Sequence, residues 1–198
     1  MKSFNQAELI NKMSDQELKR QLYVSQFVLL VLSVVLSLFL FDSITDWWEL
    51  FAWSPSQLFF YGVVPGLIVV GIDLVLIKFL PAAFYDDGGI NEKIFVNRTT
   101  AEIGMIAVLV AVAEELLFRG VIHTVLGYLV ASLLFALLHF RYLTKPVLLV
   151  SVLLVSFYLG WIYERTYNLA ATISAHFIID FSLALYIKFK GSGGKDND

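Results

Sequence analysis

Asp73, Glu114, Glu115, Arg119, His139, His176 and Asp180 stand on segments otherwise apolar enough to sit in hydrocarbon. An ionisable group inside a bilayer costs a few kcal/mol or more, so each is a functional candidate by default. Glu115 and Arg119 are four apart on one helix face and can form an internal ion pair. Glu114 is turned about 100° away and cannot use Arg119 in the same manner. It is the carboxylate left for chemistry. Phe118, one turn on, offers it an apolar wall of the kind that strengthens a carboxylate as a general base. His176 and Asp180 are also four apart, so Asp180 could orient His176, bind a metal or act on a substrate.

These groups need helices that bring them to one depth. A helix rises about 1.5 Å per residue across roughly 30 Å of hydrocarbon. Counting from the expected helix ends places Glu114, His139, His176 and Asp180 within about one turn of the midplane. Asp73 falls nearer the inner interface, where a carboxylate close to headgroups with Lys78 nearby needs no special role. The bland alternative is that Glu115–Arg119 and His176–Asp180 only glue helices together. The shared depth of Glu114 and His139 argues against it for the set as a whole.

Six segments are long and apolar enough to be those helices, at about 22–41, 57–80, 101–122, 128–141, 146–164 and 168–188. The chain has 198 residues, 59% of them apolar and 16% charged. The fold expected is therefore all-α, a polytopic membrane helix bundle with about six transmembrane helices. Residues 1–190 form one domain with a motif-bearing core at 99–189, and 191–198 form a polar tail. Residues 1–20 read as a polar or amphipathic helix. Ser14 with Glu17, and Thr99 with Glu102, have capping-box spacing.

Lys19, Arg20, Lys78, Lys93, Arg98, Arg141, Lys145, Lys188 and Lys190 fall in alternate loops, which by the positive-inside rule makes both termini cytoplasmic in a multi-pass cell-membrane protein. Trp47, Trp48 and Trp53 then form an aromatic belt at the outer interface, and His123 lies near that interface too. Asn97-Arg98-Thr99 matches a glycosylation sequon, but on an inner loop. A net charge of -3 and the lack of a basic run speak against nucleic acid. Zero Cys removes disulfides and a thiol nucleophile. Ser132, Ser151, Ser156 and Ser174 lie in no nucleophile motif, and such hydroxyls usually bond the preceding turn or a neighbouring helix.

Glu114-Glu115-Leu-Leu-Phe-Arg119 resembles the Glu-Glu-x-x-x-Arg motif of the CAAX prenyl protease type II family, which includes bacterial proteins linked to bacteriocin processing or immunity. Phe135-Ala-Leu-Leu-His139 resembles its second motif, Phe-x-x-x-His. His176-Phe-Ile-Ile-Asp180 resembles the third, His-x-x-x-Asn or Asp. The resemblance implies an intramembrane endopeptidase acting on a membrane-associated protein or peptide. Within it Glu114 is the general base, His139 helps hold the attacking water, and His176 and Asp180 face the oxyanion. Asp180 departs from the Asn version, because an ionised carboxylate donates no hydrogen bond. No cofactor is expected. The alternative is zinc held by Glu114, His139 and His176, with an open position for water. The competing functions are a non-proteolytic scaffold or bacteriocin-immunity protein, and a small transporter with proton relays.

Overall fold

The computed structural model describes residues 12–139, 142 and 145–193. Residues 1–11 of the expected polar helix, Arg141 and the tail residues 194–198 lie outside them. The described residues form helices and no strand.

Helix α1 (Asp15–Leu40) starts at the expected capping box: Ser14 Oγ accepts from Glu17 N at 3.3 Å, and Glu17 Oε2 accepts from Ser14 N at 2.8 Å. No breaker follows, so the polar residues before Leu22 continue into the apolar span as one helix. Helix α2 (Pro55–Phe79) has a wide π turn at Leu58–Val63, directly before Pro65. Proline has no N–H to give the regular ladder, and a widened turn before it absorbs the mismatch.

Helix α3 joins Thr100–Glu115, a π turn at Leu116–His123 and Thr124–Leu126. It also begins on a capping box, from Thr99 and Glu102. It stops at Gly127, whose φ of 85° and ψ of 170° only glycine adopts readily. Helix α4 (Tyr128–Leu138) is short and ends on His139 itself. Helix α5 (Pro146–Thr166) opens with proline at its first turn and closes on left-handed Tyr167. Helix α6 (Leu169–Gly193) runs past residue 188 and takes in Gly191.

Helices α1, α2, α5 and α6 are each long and apolar enough to cross a membrane. Their outward faces carry exposed Phe27, Phe39, Phe59, Phe60 and Leu154. In water such a surface would aggregate, and in a bilayer it is the solvated face. The protein is a polytopic helical membrane bundle.

Helix α6 lies at its centre, packed on α2, α3 and α5. A Cβ on Gly62 would stand 2.8 Å from Ser174 Cβ, and one on Gly66 would stand 2.8 Å from Ile178 Cβ. Helices α2 and α6 therefore run side by side in the same direction, with backbones in near contact.

One end of the bundle is latched. Asn168 accepts from Ala52 N at 3.2 Å and donates to Ala52 O and Gln57 Oε1, both at 2.9 Å. Trp47 docks at this end too, its indole donating to Ser37 Oγ at 3.0 Å and its ring covering Gly120. Trp48 and Trp53 remain exposed as a belt would be, so Trp47 is the member that turns inward. At the opposite end the helix Ile90–Phe95 packs on α6 and on Leu18 of α1. There Lys19 pairs with Glu102 at 3.2 Å and Lys188 donates to the carbonyl of Arg98.

Candidate active site

The three motif segments meet around Phe135. The Arg119 guanidinium carbon lies 4.6 Å from its ring centroid, a cation–π distance. The Phe118 ring meets it edge-on at 5.1 Å and the His176 ring at 5.9 Å. The His139 imidazole stacks on it at 4.9 Å.

Phe135 holds His139 twice. Besides the stacking, His139 Nδ1 lies 2.9 Å from the Phe135 carbonyl oxygen. A carbonyl only accepts, so Nδ1 carries the hydrogen, and in a neutral ring Nε2 is then the acceptor. The spacing of four in Phe-x-x-x-His makes both contacts available on one helix face. Tyr142 also stacks with His139, ring centroids 6.0 Å apart.

Glu115 and Arg119 pair as their spacing requires, Nη1 to Oε1 at 3.2 Å with both side chains fully buried. Arg119 Nη2 also donates to the Ser156 carbonyl at 2.8 Å, which ties α3 to α5. The same Glu115 oxygen takes His176 Nδ1 at 3.0 Å and ties α3 to α6. His176 Nε2 faces Asp180 Oδ2 at 3.5 Å. The imidazole is thus held between two carboxylates, one wholly buried and one at 36% exposure.

Glu114 is turned away from this network. Its side chain is buried, and Oε2 has no hydrogen-bond partner among the described residues. It borders a cavity of about 1350 Å³ that also meets His139, Tyr142, His176, Asp180 and Asp73. The cavity reaches the 81–99 end of the bundle, where residues 85–92 rim it. A smaller apolar cleft of about 340 Å³, lined by Val28, Leu29, Phe118 and Leu138, also reaches Glu114 and His139. These two residues stand where the large cavity and the smaller cleft meet.

Asp73 is therefore a cavity residue, where its sequence context suggested only a carboxylate close to headgroups. His123 is buried and sits apart from the cavity, 2.7 Å from Glu164 Oε1 and edge-on to Tyr163 at 4.9 Å. Among the serines, Ser156 bonds the Ser132 carbonyl across helices at 2.9 Å, and Ser174 bonds the Ala170 carbonyl in its own preceding turn at 2.7 Å. Ser151 lines the cavity. Phe135 as the hub, Tyr142 and the Glu164 partner of His123 had no role in the sequence reading. The one signal for the first was its place at the head of the second motif.

Among the described residues no three His, Asp or Glu side chains are grouped to hold a metal ion. His176 already spends both ring nitrogens on carboxylates. Glu114, His139 and His176 do not form a ligand set in this arrangement.

The family model described as type II CAAX prenyl endopeptidase Rce1-like matches residues 97–182, which span every residue of the Phe135 cluster. The protein of Bacillus subtilis (strain 168) called "Uncharacterized protein YpbD" is 42% identical over 167 residues, covering 84% of this chain and 88% of its own length. No solved structure matches the chain.

Proposed function

The chain belongs to the Rce1-like type II CAAX prenyl endopeptidase family, and on that premise we propose that it is a membrane endopeptidase in which Glu114 and His139 activate water. The observation that carries this reading is Glu114: a buried carboxylate with a free oxygen, on a cavity it shares with two histidines. A buried polar atom left unsatisfied is costly and asks for a functional reason.

Water entering the cavity would lie between Glu114 and His139 Nε2. Glu114 takes a proton as the water oxygen attacks the peptide carbonyl. The carbonyl oxygen becomes an oxyanion on the side of His176, whose Nε2 contact to Asp180, at 3.5 Å, is long enough to be shared with it. Glu114 then delivers the proton to the leaving nitrogen as the C–N bond breaks. Glu115 holds His176 in place for this, and Arg119 balances the Glu115 charge. Asp180 serves chiefly by orienting His176. The substrate is a membrane-associated protein or peptide, and the rimmed end of the cavity is the cytoplasmic one, with both termini on that side.

The test compares wild type with Glu114→Ala, reading cleavage products in membranes by mass spectrometry. We expect the variant to lose cleavage while remaining monodisperse, membrane-inserted and as heat-resistant as wild type. Function retained in Glu114→Ala would overturn the reading in favour of a scaffold or immunity role.

A further inference from the structure

Asp73 lines the large cavity, is half-buried, and makes no hydrogen bond or ion pair among the described residues. Among the described residues that line the cavity, Glu114, Asp180 and Glu92 carry further carboxylates and Lys190 is the one cation. Asp86 and Asp87 also border it, but their carboxylates accept backbone N–H groups of 88–91 in the turn. Asp73 has no such duty. Its neighbours on α2, Val69, Val70 and Leu74, pack on Ile179 and Leu183 and fix the helix face on which it stands.

A half-buried carboxylate is costly without a counter-charge. Nothing in the fold of α2 calls for one at position 73, where an apolar residue would pack as well. A cation delivered by a bound chain would offset that cost, and the cavity, about 1350 Å³ and reaching the 85–92 rim, has room for one.

We propose that Asp73 is a substrate-binding residue that takes a Lys or Arg side chain of the cleaved polypeptide; this rests on the peptidase reading and names the substrate class of that site. The register gives the position. Gly62 meets Ser174 and Gly66 meets Ile178, so position 73 is level with about 185 on α6. Glu114 is level with His176, which its neighbour Glu115 bonds. The difference of about nine residues at 1.5 Å each is roughly 13 Å along the axis. An extended peptide advances about 3.3 Å per residue, so the basic residue stands about four residues from the cleaved bond, on the side toward the 81–99 end. Chains with a neutral or acidic residue there would be poorer ligands.

Two fluorescent peptides with an apolar segment, one carrying Lys and the other Gln in the flanking polar segment, test this on the full-length protein in nanodiscs of zwitterionic lipid. Binding is read in the Glu114→Gln background, so that it does not depend on turnover. The Lys peptide is expected to bind about tenfold more tightly, the size of effect a partly desolvated charge pair gives. Asp73→Asn should reduce that preference to near unity, and Asp73→Lys should shift it toward a Glu peptide. No preference in the parent protein, or one unchanged by Asp73→Asn, overturns the proposal. The two readings separate on adding back Glu114. Charge-selective binding without cleavage sinks the peptidase reading alone, and equal cleavage of both peptides with equal binding sinks the Asp73 assignment alone.

Discussion

Glu115 Oε1 lies 3.0 Å from His176 Nδ1, and the same oxygen lies 3.2 Å from Arg119 Nη1. One atom thus joins two helices and neutralises a fully buried guanidinium. Removing one partner of a buried pair costs about 3–5 kcal/mol, because the other charge is stranded. Glu115→Ala is therefore expected to lower the thermal unfolding midpoint in detergent far more than Glu114→Ala does. Removing Arg119 as well (Glu115→Ala with Arg119→Leu) should recover part of the loss. A double variant no more stable than Glu115→Ala alone would show that the pair does not hold the bundle.

Phe135 touches Arg119, Phe118, His139 and His176 with one ring. Phe135→Ala should cost about 3–5 kcal/mol, as core Phe truncations do. Phe135→Leu keeps most of the apolar volume but not the ring face. It should fold, with stability close to wild type, and cleave slowly because His139 loses its stacking partner. Turnover in Phe135→Leu equal to wild type would mean that the backbone carbonyl alone places His139.

Asp180 faces His176 Nε2 at 3.5 Å. An Asn side chain offers a carbonyl oxygen at the same reach and adds donors. Asp180→Asn should keep cleavage within a few-fold of wild type, whereas Asp180→Leu should lower kcat strongly with little change in KM, since only a group acting on His176 is lost. Loss of cleavage in Asp180→Asn equal to that in Asp180→Leu would show that the negative charge is needed.

His123 and Glu164 form their 2.7 Å contact away from the cavity. Glu164 keeps 45% exposure, so water can serve it if the imidazole is removed. His123→Phe should leave cleavage unchanged and lower stability by about 1 kcal/mol, the scale of one net hydrogen bond. A fall in cleavage without a fall in stability would place His123 in the reaction.

Four of the expected spans were readable because a bilayer demands long apolar runs, and the two capping boxes marked real helix starts at Ser14 and Thr99. The Glu115–Arg119 pair was readable because spacing on one helix fixes a face. Contacts between helices were not. That Glu115 bonds His176 depends on how α3 lies against α6, which periodicity does not encode. That Asp73 borders the cavity was not readable for a related reason: depth along α2 says nothing about whether the inward side is lipid, protein or open space. The π turn around Arg119 was invisible as well, since its residues have the same composition as a regular helix.

The hold of Phe135 on His139 has a consequence for proton transfer. With Nδ1 bonded to a main-chain carbonyl at 2.9 Å, that ring hydrogen is covered, while Nε2 is left open. The neutral ring is thereby held in one tautomer, so that whatever meets Nε2 meets a lone pair and not an N–H.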